Sequence, residues 1–349
     1  MARVAVVGAH TILGARVVAE LARLGHDVIG ASDREAPTHD APNRVLNTDS
    51  DITNLVTSVQ CVVIVYTEKR ESVVATCVTQ NRPFVDLASE QHQVARYFTT
   101  LGDTPCVIGA GLIPGIAELL IAATAPMLDR AVDTVTVAYT FPDRRFPPAS
   151  LNGSAGRRRA VAGTLTHEGM HLKDGQWRPD LIGDTRTLMW FPRPVGPQQA
   201  LAWPGVSRFT LPGALPKLTN FTQYMVVGSW RTEIFQALAN MAAKPRFTAR
   251  LTRRAAKGSA PKDVTTLRFA CVVEARSGVT FRRAWAYGRD PYALTAVLAG
   301  RVVTQILAGA ITQPTSFVSM PAPQDQLDDL TAHTGLRWSV SDEVALADV

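Results

Sequence analysis

The sequence predicts an α/β chain: a doubly wound parallel sheet with an inserted α+β domain built on a mostly antiparallel sheet. Three observations predict it. An apolar run, a glycine-marked turn, an amphipathic stretch and a second apolar run fill residues 4–31. Further unbroken apolar runs follow at 61–65, 83–88 and 106–108. From residue 132 onward the apolar residues alternate with polar ones instead. Continuous runs suit strands covered on both faces, and alternation suits a sheet whose two faces differ.

The first element is the strand 4–7 (Val4-Ala5-Val6-Val7), followed by the turn Gly8-Ala9-His10-Thr11-Ile12-Leu13-Gly14. A helix over 15–24 presents Val17, Val18, Leu21 and Leu24 as one stripe. Gly25 follows where a helix end favours left-handed geometry, and the strand 28–31 comes next. Strand, glycine turn, helix and strand form the first half of a Rossmann-like dinucleotide-binding unit. Gly8 lets the chain leave the strand sharply and leaves room for a diphosphate over the helix N-terminus, where free N–H groups and the helix dipole favour an anion. Gly14 lets the helix approach the strand. The spacing G-x-G-x-x-G is not met, because His10 and Leu13 hold its second and third glycine positions. The nearer template is G-A-x-G-x-x-G, as in proteins resembling the atypical and extended short-chain reductases, with Thr11 at the middle glycine. A side chain there either crowds the pyrophosphate or bonds to it through its hydroxyl. The cofactor contacts expected from this turn are Gly8, Ala9, His10, Thr11, Ile12 and Gly14.

Asp33-Arg34 stands where such units meet the adenosine ribose. Asp33 suits the 2′-hydroxyl of NAD, whereas Arg34 suits a 2′-phosphate; the balance leans to NADP, with NAD the alternative. The run 61–65 is expected as the fourth strand, and it places Tyr66 and Thr67 beside the nicotinamide ribose. A helix over 71–80 and the strands 83–88 and 106–108 follow. The turn Gly109-Ala110-Gly111-Leu112-Ile113-Pro114-Gly115 and a helix over 116–125 then close the first domain. Gly109 and Gly111 are the cofactor candidates of that turn, which otherwise is a plain strand-to-helix connection. The domains are expected at 1–126, 127–289 and 290–349, the last a helix and tail returning to the first.

The second domain reads as short strands. Val135, Val137 and Tyr139 alternate, Lys173-Asp174-Gly175 marks a hairpin, and strand candidates lie at 187–191, 200–203 and 221–227. Residues 234–243 are helical by spacing. Leu267, Phe269, Cys271 and Val273 alternate, then Val279, Phe281, Arg283, Trp285 and Tyr287, with Ser277-Gly278 between them. Asp290 and Pro291 open a strongly apolar helix that Gly309 follows.

At 349 residues and 46% hydrophobic, the chain has enough apolar surface for two packed domains, which excludes a disordered protein. It has no run of eighteen apolar residues, so no membrane span is expected, and a strand at the start of the chain leaves no signal peptide. Four scattered cysteines without C-x-x-C spacing suit buried free thiols in a cytoplasmic protein, not a metal site. The net charge of +6 suits an anionic ligand, and without a motif it is no argument for nucleic acid.

Taken together, four stretches resemble the saccharopine dehydrogenase-like reductases, including their trans-acting enoyl reductase branch. They are the Gly8–Gly14 turn, Val74-Ala75-Thr76-Cys77 through Phe84-Val85-Asp86-Leu87-Ala88-Ser89-Glu90, the Gly109–Gly115 turn, and Asp290-Pro291-Tyr292-Ala293-Leu294-Thr295-Ala296. The second is similar to the family's A-C…Y-V-D-L-x-x-E segment with Phe84 for tyrosine, and the fourth to its G-Y-x-x-T-A helix start. The resemblance implies a Rossmann domain, an inserted domain and a substrate cleft between them.

Hydride transfer needs positioning and exclusion of water more than a dedicated catalytic motif. The chain has no Tyr-x-x-x-Lys pair and no zinc-spaced His/Cys cluster. Asp86, Tyr66 and His10 are the catalytic candidates; in the alternative reading Asp86 caps the turn that follows it. Arg157-Arg158-Arg159 and the basic stretch 244–262 suit a carboxylate, a phosphopantetheine phosphate or an acidic carrier, or else a solvated surface. The expected function is an NAD(P)H-dependent reductase acting on a C=C or C=N bond of a small or carrier-bound anionic metabolite, with a homodimer compatible. A second reading has Thr11 filling the phosphate turn, leaving a non-redox catalyst such as a cyclase or isomerase, or a ligand sensor.

Overall fold

The computed structural model describes residues 1–33, 42–89, 91–128, 131–142, 169–180, 185–226, 265–341 and 344–345. It divides into two compact units, Met1–Gly115 with Tyr292–Phe317, and Ile116–Pro291 with Val318–Val349.

The first unit is built on six strands: β1 (Arg3–Val7), β2 (Asp27–Ser32), β3 (Asn43–Val45), β4 (Cys61–Ile64), β5 (Phe84–Asp86) and β6 (Cys106–Ile108). All are parallel, in the order β3-β2-β1-β4-β5-β6. Val4, Ala5, Val6 and Val7 of β1 have no exposed surface, as a strand covered on both faces requires. Fully burying each valine contributes roughly 1.5–3 kcal/mol.

Helix α1 (Ile12–Arg23) buries Leu13, Val17, Val18 and Leu21. It ends in a Schellman motif: His26 N donates to the Leu21 carbonyl, Gly25 N donates to the Ala22 carbonyl, and Gly25 takes φ +83°. Helix α2 (Asp49–Thr57) starts in a capping box in which Thr48 and Asp51 satisfy each other's backbone amides. Helix α3 (Arg70–Thr79) and the single turn α4 (Gln91–Val94) precede β5 and β6 respectively.

The second unit holds helix α5 (Ala117–Thr124), all of whose residues are buried, and a ten-stranded sheet. Its strands are β7 (Thr134–Thr140), β8 (Gly169–Lys173), β9 (Gln176–Asp180), β10 (Arg186–Trp190), β11 (Pro197–Ala202), β12 (Asn220–Met225), β13 (Arg268–Ser277), β14 (Thr280–Arg289), β15 (Arg337–Val340) and β16 (Val344–Ala345). The main path is β10-β11-β12-β7-β13-β14-β15, antiparallel except for the pair β12–β7. The expected hairpin is present between β8 and β9, with Asp174 at φ +52° and Gly175 at φ +75°, the signs of a type I′ turn. Gly278, at φ +62°, opens the two-residue loop joining β13 and β14.

Three helices escaped the sequence reading: α2, α6 (Ser207–Ala214), which contains Pro212, and α8 (Pro323–Thr334). Helix α7 (Pro291–Leu307) lies between α6 and α8 in the chain, with Pro291 at its first position as expected. Asp290, expected as its N-cap, has φ +51°, left-handed where a capping residue is normally extended. The helix expected over 234–243 and the basic segments 157–159 and 244–262 lie outside the described residues.

Candidate functional site

The strand order reverses between β1 and β4, and ligands of open α/β sheets bind in the crevice beyond the C-terminal ends of such a pair. Three pieces of chain reach that edge: the turn into α1, the end of β2 at Asp33, and the exit of β4 at Tyr66 and Thr67.

Both glycines of the first turn are required by the chain's own backbone. Gly8 has φ +92°, and a Cβ on it would stand 2.5 Å from the Tyr66 carbonyl oxygen. A Cβ on Gly14 would stand 2.1 Å from the Gly8 carbonyl oxygen. The amides of Gly8 and Ala9 both donate to the Ala31 carbonyl, at 2.7 and 3.2 Å. Both amides are thus spent within the sheet, and what Gly8 leaves open is the room of its missing side chain.

Thr11 turns inward as the N-cap of α1. Its hydroxyl accepts from the Gly14 amide at 2.9 Å and donates to the Gly8 carbonyl at 2.8 Å. It therefore takes one of the helix's first amides, that of Gly14, and leaves those of Ile12 and Leu13. Among the described residues, none accepts from the amides of Ile12 and Leu13. The first turn of α1 carries no acidic side chain. Two amides without an acceptor and the positive end of the helix dipole, with no acidic side chain in that turn, can hold an external anion.

His10 is half-buried and stands edge-on to the buried Tyr66 ring, with centroids 6.3 Å apart. The structure thus brings Gly8, His10, Thr11, Ile12 and Tyr66 to one edge. Asp33 and Thr67 are there too, but joined to each other: Asp33 Oδ1 accepts from the Thr67 hydroxyl and Oδ2 from the Glu68 amide, both at 2.6 Å. Arg34 and Glu90 lie outside the described residues.

Asp86 is a correction. Expected as a catalytic candidate, it has no exposed surface. Its Oδ1 meets Arg70 and accepts from the Ala88 amide at 2.9 Å, while its Oδ2 accepts from the Tyr97 hydroxyl. Arg70 also donates to the Val65 carbonyl at 3.2 Å. Burial, and next the Asp86 charge, hold the Tyr97 phenol well above its ordinary pKa. Asp86 thus caps the following turn, as the alternative reading had it, and ties β5 to the end of β4. Arg70 and Tyr97 were missed by sequence reasoning. A carboxylate at the end of a fully buried strand announces that a cation is needed, but nothing local says which one.

The turn at Gly109 and Gly111 follows β6, separated from β4 by β5. Gly109 N and Ala110 N donate to the Asp86 carbonyl, Gly111 N and Gly115 N to the Gly109 carbonyl, and Leu112 N to the Thr295 hydroxyl. These amides are spent within the fold, which favours the plain strand-to-helix connection over the cofactor contact of the two readings the sequence left open.

All four cysteines are free and buried, and burial pushes the Cys61 and Cys106 thiols up to about 12. They are inert packing residues. A cavity of about 490 Å³ lined by Arg3, Asp27, Ser58, Gln60 and Arg82 lies toward the N-terminal ends of the strands, the wrong end for the switch-point rule, and Arg3 there is paired with Asp27 at 2.6 Å. Among the described residues, no helix is long and apolar enough to cross a membrane.

No family model and no curated protein matches the chain. Among solved structures, apo histidine-tagged saccharopine dehydrogenase (L-Glu forming) from Saccharomyces cerevisiae superposes with a TM-score of 0.60 at 13% identity, covering 99% of this chain and 100% of that one. The chain has a saccharopine dehydrogenase-like fold. Its six-stranded parallel sheet and its second, mostly antiparallel sheet are the two parts of that architecture. Shorter stretches align with UDP-N-acetylglucosamine 4-epimerase from Bacillus cereus (22% identity, 25% of this chain and 36% of that one, TM-score 0.22). MoeE5 in complex with UDP-glucuronic acid and NAD aligns similarly (18% identity, 24% and 36%, TM-score 0.21).

Proposed function

We propose that this chain is an NAD(P)H-dependent reductase that delivers hydride to a C=C or C=N bond of a small or carrier-bound anionic metabolite, in the manner of the trans-acting enoyl reductases. The observation that carries the reading is the pair of unclaimed amides, Ile12 and Leu13, at the N-terminus of a helix that begins at the switch point of a parallel sheet. A dinucleotide's diphosphate has the charge and the acceptor oxygens for that position. Gly8, with no side chain beside Tyr66, and Thr11, turned inward, keep the approach clear.

The reduced nicotinamide supplies the hydride when bound. The chain's own residues have narrower tasks. Ile12 and Leu13 hold the diphosphate through their amides. Gly8, Tyr66 and Thr67 shape the wall at the end of β4. His10 and the Tyr66 hydroxyl are the proton-carrying groups at this edge, and so the proposed donors to the reduced bond. Asp86 acts at one remove, fixing Arg70 and through it the Val65 carbonyl. NADP is the proposed cofactor, with NAD the alternative, and a cytoplasmic setting and a homodimer belong to the same proposal.

Thermal shift with each nucleotide tests the reading. Binding to the native state alone adds about 2.7 kcal/mol of stability at a nucleotide concentration one hundred times Kd, so the melting temperature should rise with NADPH. A melting temperature unmoved by millimolar NADPH and NADH alike would sink it.

A further inference from the structure

Asp33 occupies the place where a dinucleotide fold keeps an acid for the adenosine ribose, yet its carboxylate is already engaged. Its two oxygens take the Thr67 hydroxyl and the Glu68 amide, each at 2.6 Å, from the exit of β4. The Thr67 oxygen in turn accepts from the Lys69 amide at 3.0 Å, and Thr67 is almost fully buried. The same short segment is held from the other side. The amides of Val65 and Tyr66 donate to the Val7 carbonyl, and Arg70, paired with Asp86, donates to the Val65 carbonyl. Lys69 Nζ reaches the Asn47 carbonyl. Every residue from Val65 to Lys69 is thus fastened by at least one bond, and Asp33 supplies two of them.

A carboxylate that grips both hydroxyls of a ribose diol turns one oxygen to each. Here both oxygens instead face the exit of β4. Bonds from a hydroxyl and an amide to a carboxylate are about twice as strong as neutral ones, so the arrangement is not lightly given up.

Building on the proposed dinucleotide site, we infer that Asp33 is a positioning residue: it pins the β4 exit beside Gly8 and Tyr66, and it does not select the cofactor by reading the ribose 2′-hydroxyl. Choice between the two nucleotides then falls to groups other than Asp33. Loss of Asp33 weakens NADPH and NADH alike.

The test compares the full-length chain with its Asp33→Ala, Thr67→Val and Thr67→Ser variants. Titration calorimetry gives Kd for NADPH and NADH, and amide hydrogen exchange follows Glu68. In the expected result Asp33→Ala weakens both nucleotides by roughly tenfold, with their ratio unchanged within about twofold. Thr67→Val moves both in the same direction, Thr67→Ser restores them, and the Asp33→Ala/Thr67→Val double variant is no weaker than Asp33→Ala alone. The Glu68 amide exchanges faster in Asp33→Ala even without nucleotide. A selective loss of NADH with NADPH kept or improved, or losses that add in the double variant, would overturn the inference while leaving the reductase reading intact. If the unaltered chain binds neither nucleotide, the reductase reading falls and Asp33 has no part in binding, whatever the Glu68 amide shows about the clamp itself.

Discussion

Two turns of this chain look alike in sequence and differ in what they leave over. Gly8–Gly14 and Gly109–Gly115 each follow a buried parallel strand, each starts with a glycine at positive φ, and each sends its first two amides to one carbonyl near the end of a neighbouring strand, Ala31 or Asp86. Beyond that point they diverge. In the first, a side-chain cap takes the Gly14 amide and the amides of Ile12 and Leu13 remain. In the second, Leu112 is taken by Thr295 and Gly115 by Gly109. The helices that follow differ in the same sense: α1 has no acid in its first turn, and α5 carries its own, the buried Glu118. A glycine turn ahead of a helix can therefore receive an anion only where the fold leaves donors unspent.

The largest expected effect is at Asp86, whose backbone carbonyl takes the second turn's first amides and whose carboxylate holds Arg70. Asp86→Ala strips the partner from buried Arg70 and should cost about 3–5 kcal/mol in a urea unfolding curve; a loss below about 1 kcal/mol would mean the pair does not hold the strand ends together. At the first turn, Ile12→Pro removes one of the two open amides at a position where proline suits a helix and follows an extended residue. Its expected effect is a roughly tenfold or greater rise in the Kd for NADPH, with stability changed by about 1 kcal/mol or less. An unchanged Kd would show that the amide is not used. The mirror experiment is Thr295→Val, which orphans the Leu112 amide and should lower stability by about 1–3 kcal/mol without altering NADPH affinity. Smallest is Thr11→Ala, a lost N-cap worth about 1 kcal/mol, with cofactor affinity kept because the hydroxyl faces inward; a collapse of affinity would put the Thr11 oxygen in contact with ligand.

How far the sequence led depends on the kind of signal each residue carries. Strands β1, β2, β4 and β6 were legible because burial on both faces leaves an unbroken apolar run. Helix α2 was signposted by Thr48 and Asp51 ahead of Ile52, Leu55 and Val56, a capping pattern that went unread. Helix α6 was hidden by Pro212, which argues against the helix it sits in. At the candidate site, glycines and strand ends could be placed, but not their bonds. That Thr11 turns inward, that Asp33 faces Thr67, and that Asp86 needs Arg70 are facts of long-range geometry. Position in a motif names a residue's neighbourhood, and only the hydrogen bonds say whether it is still at liberty to act.

The first unit is discontinuous: its sheet is complete by Ile108, but Thr295, which takes the Leu112 amide, and Thr315, which bridges to Val107, come from the far side of the intervening unit. On a ribosome the first unit must therefore wait, unfinished, until the segment 116–291 has emerged. Closing so long a loop is not prohibitive, since each doubling of its length adds only about 0.6 kcal/mol, but it makes assembly sequential. Truncation anywhere before α7 would remove the Leu112 and Val107 partners together, so residues 292–317 decide whether residues 1–115 become a finished module.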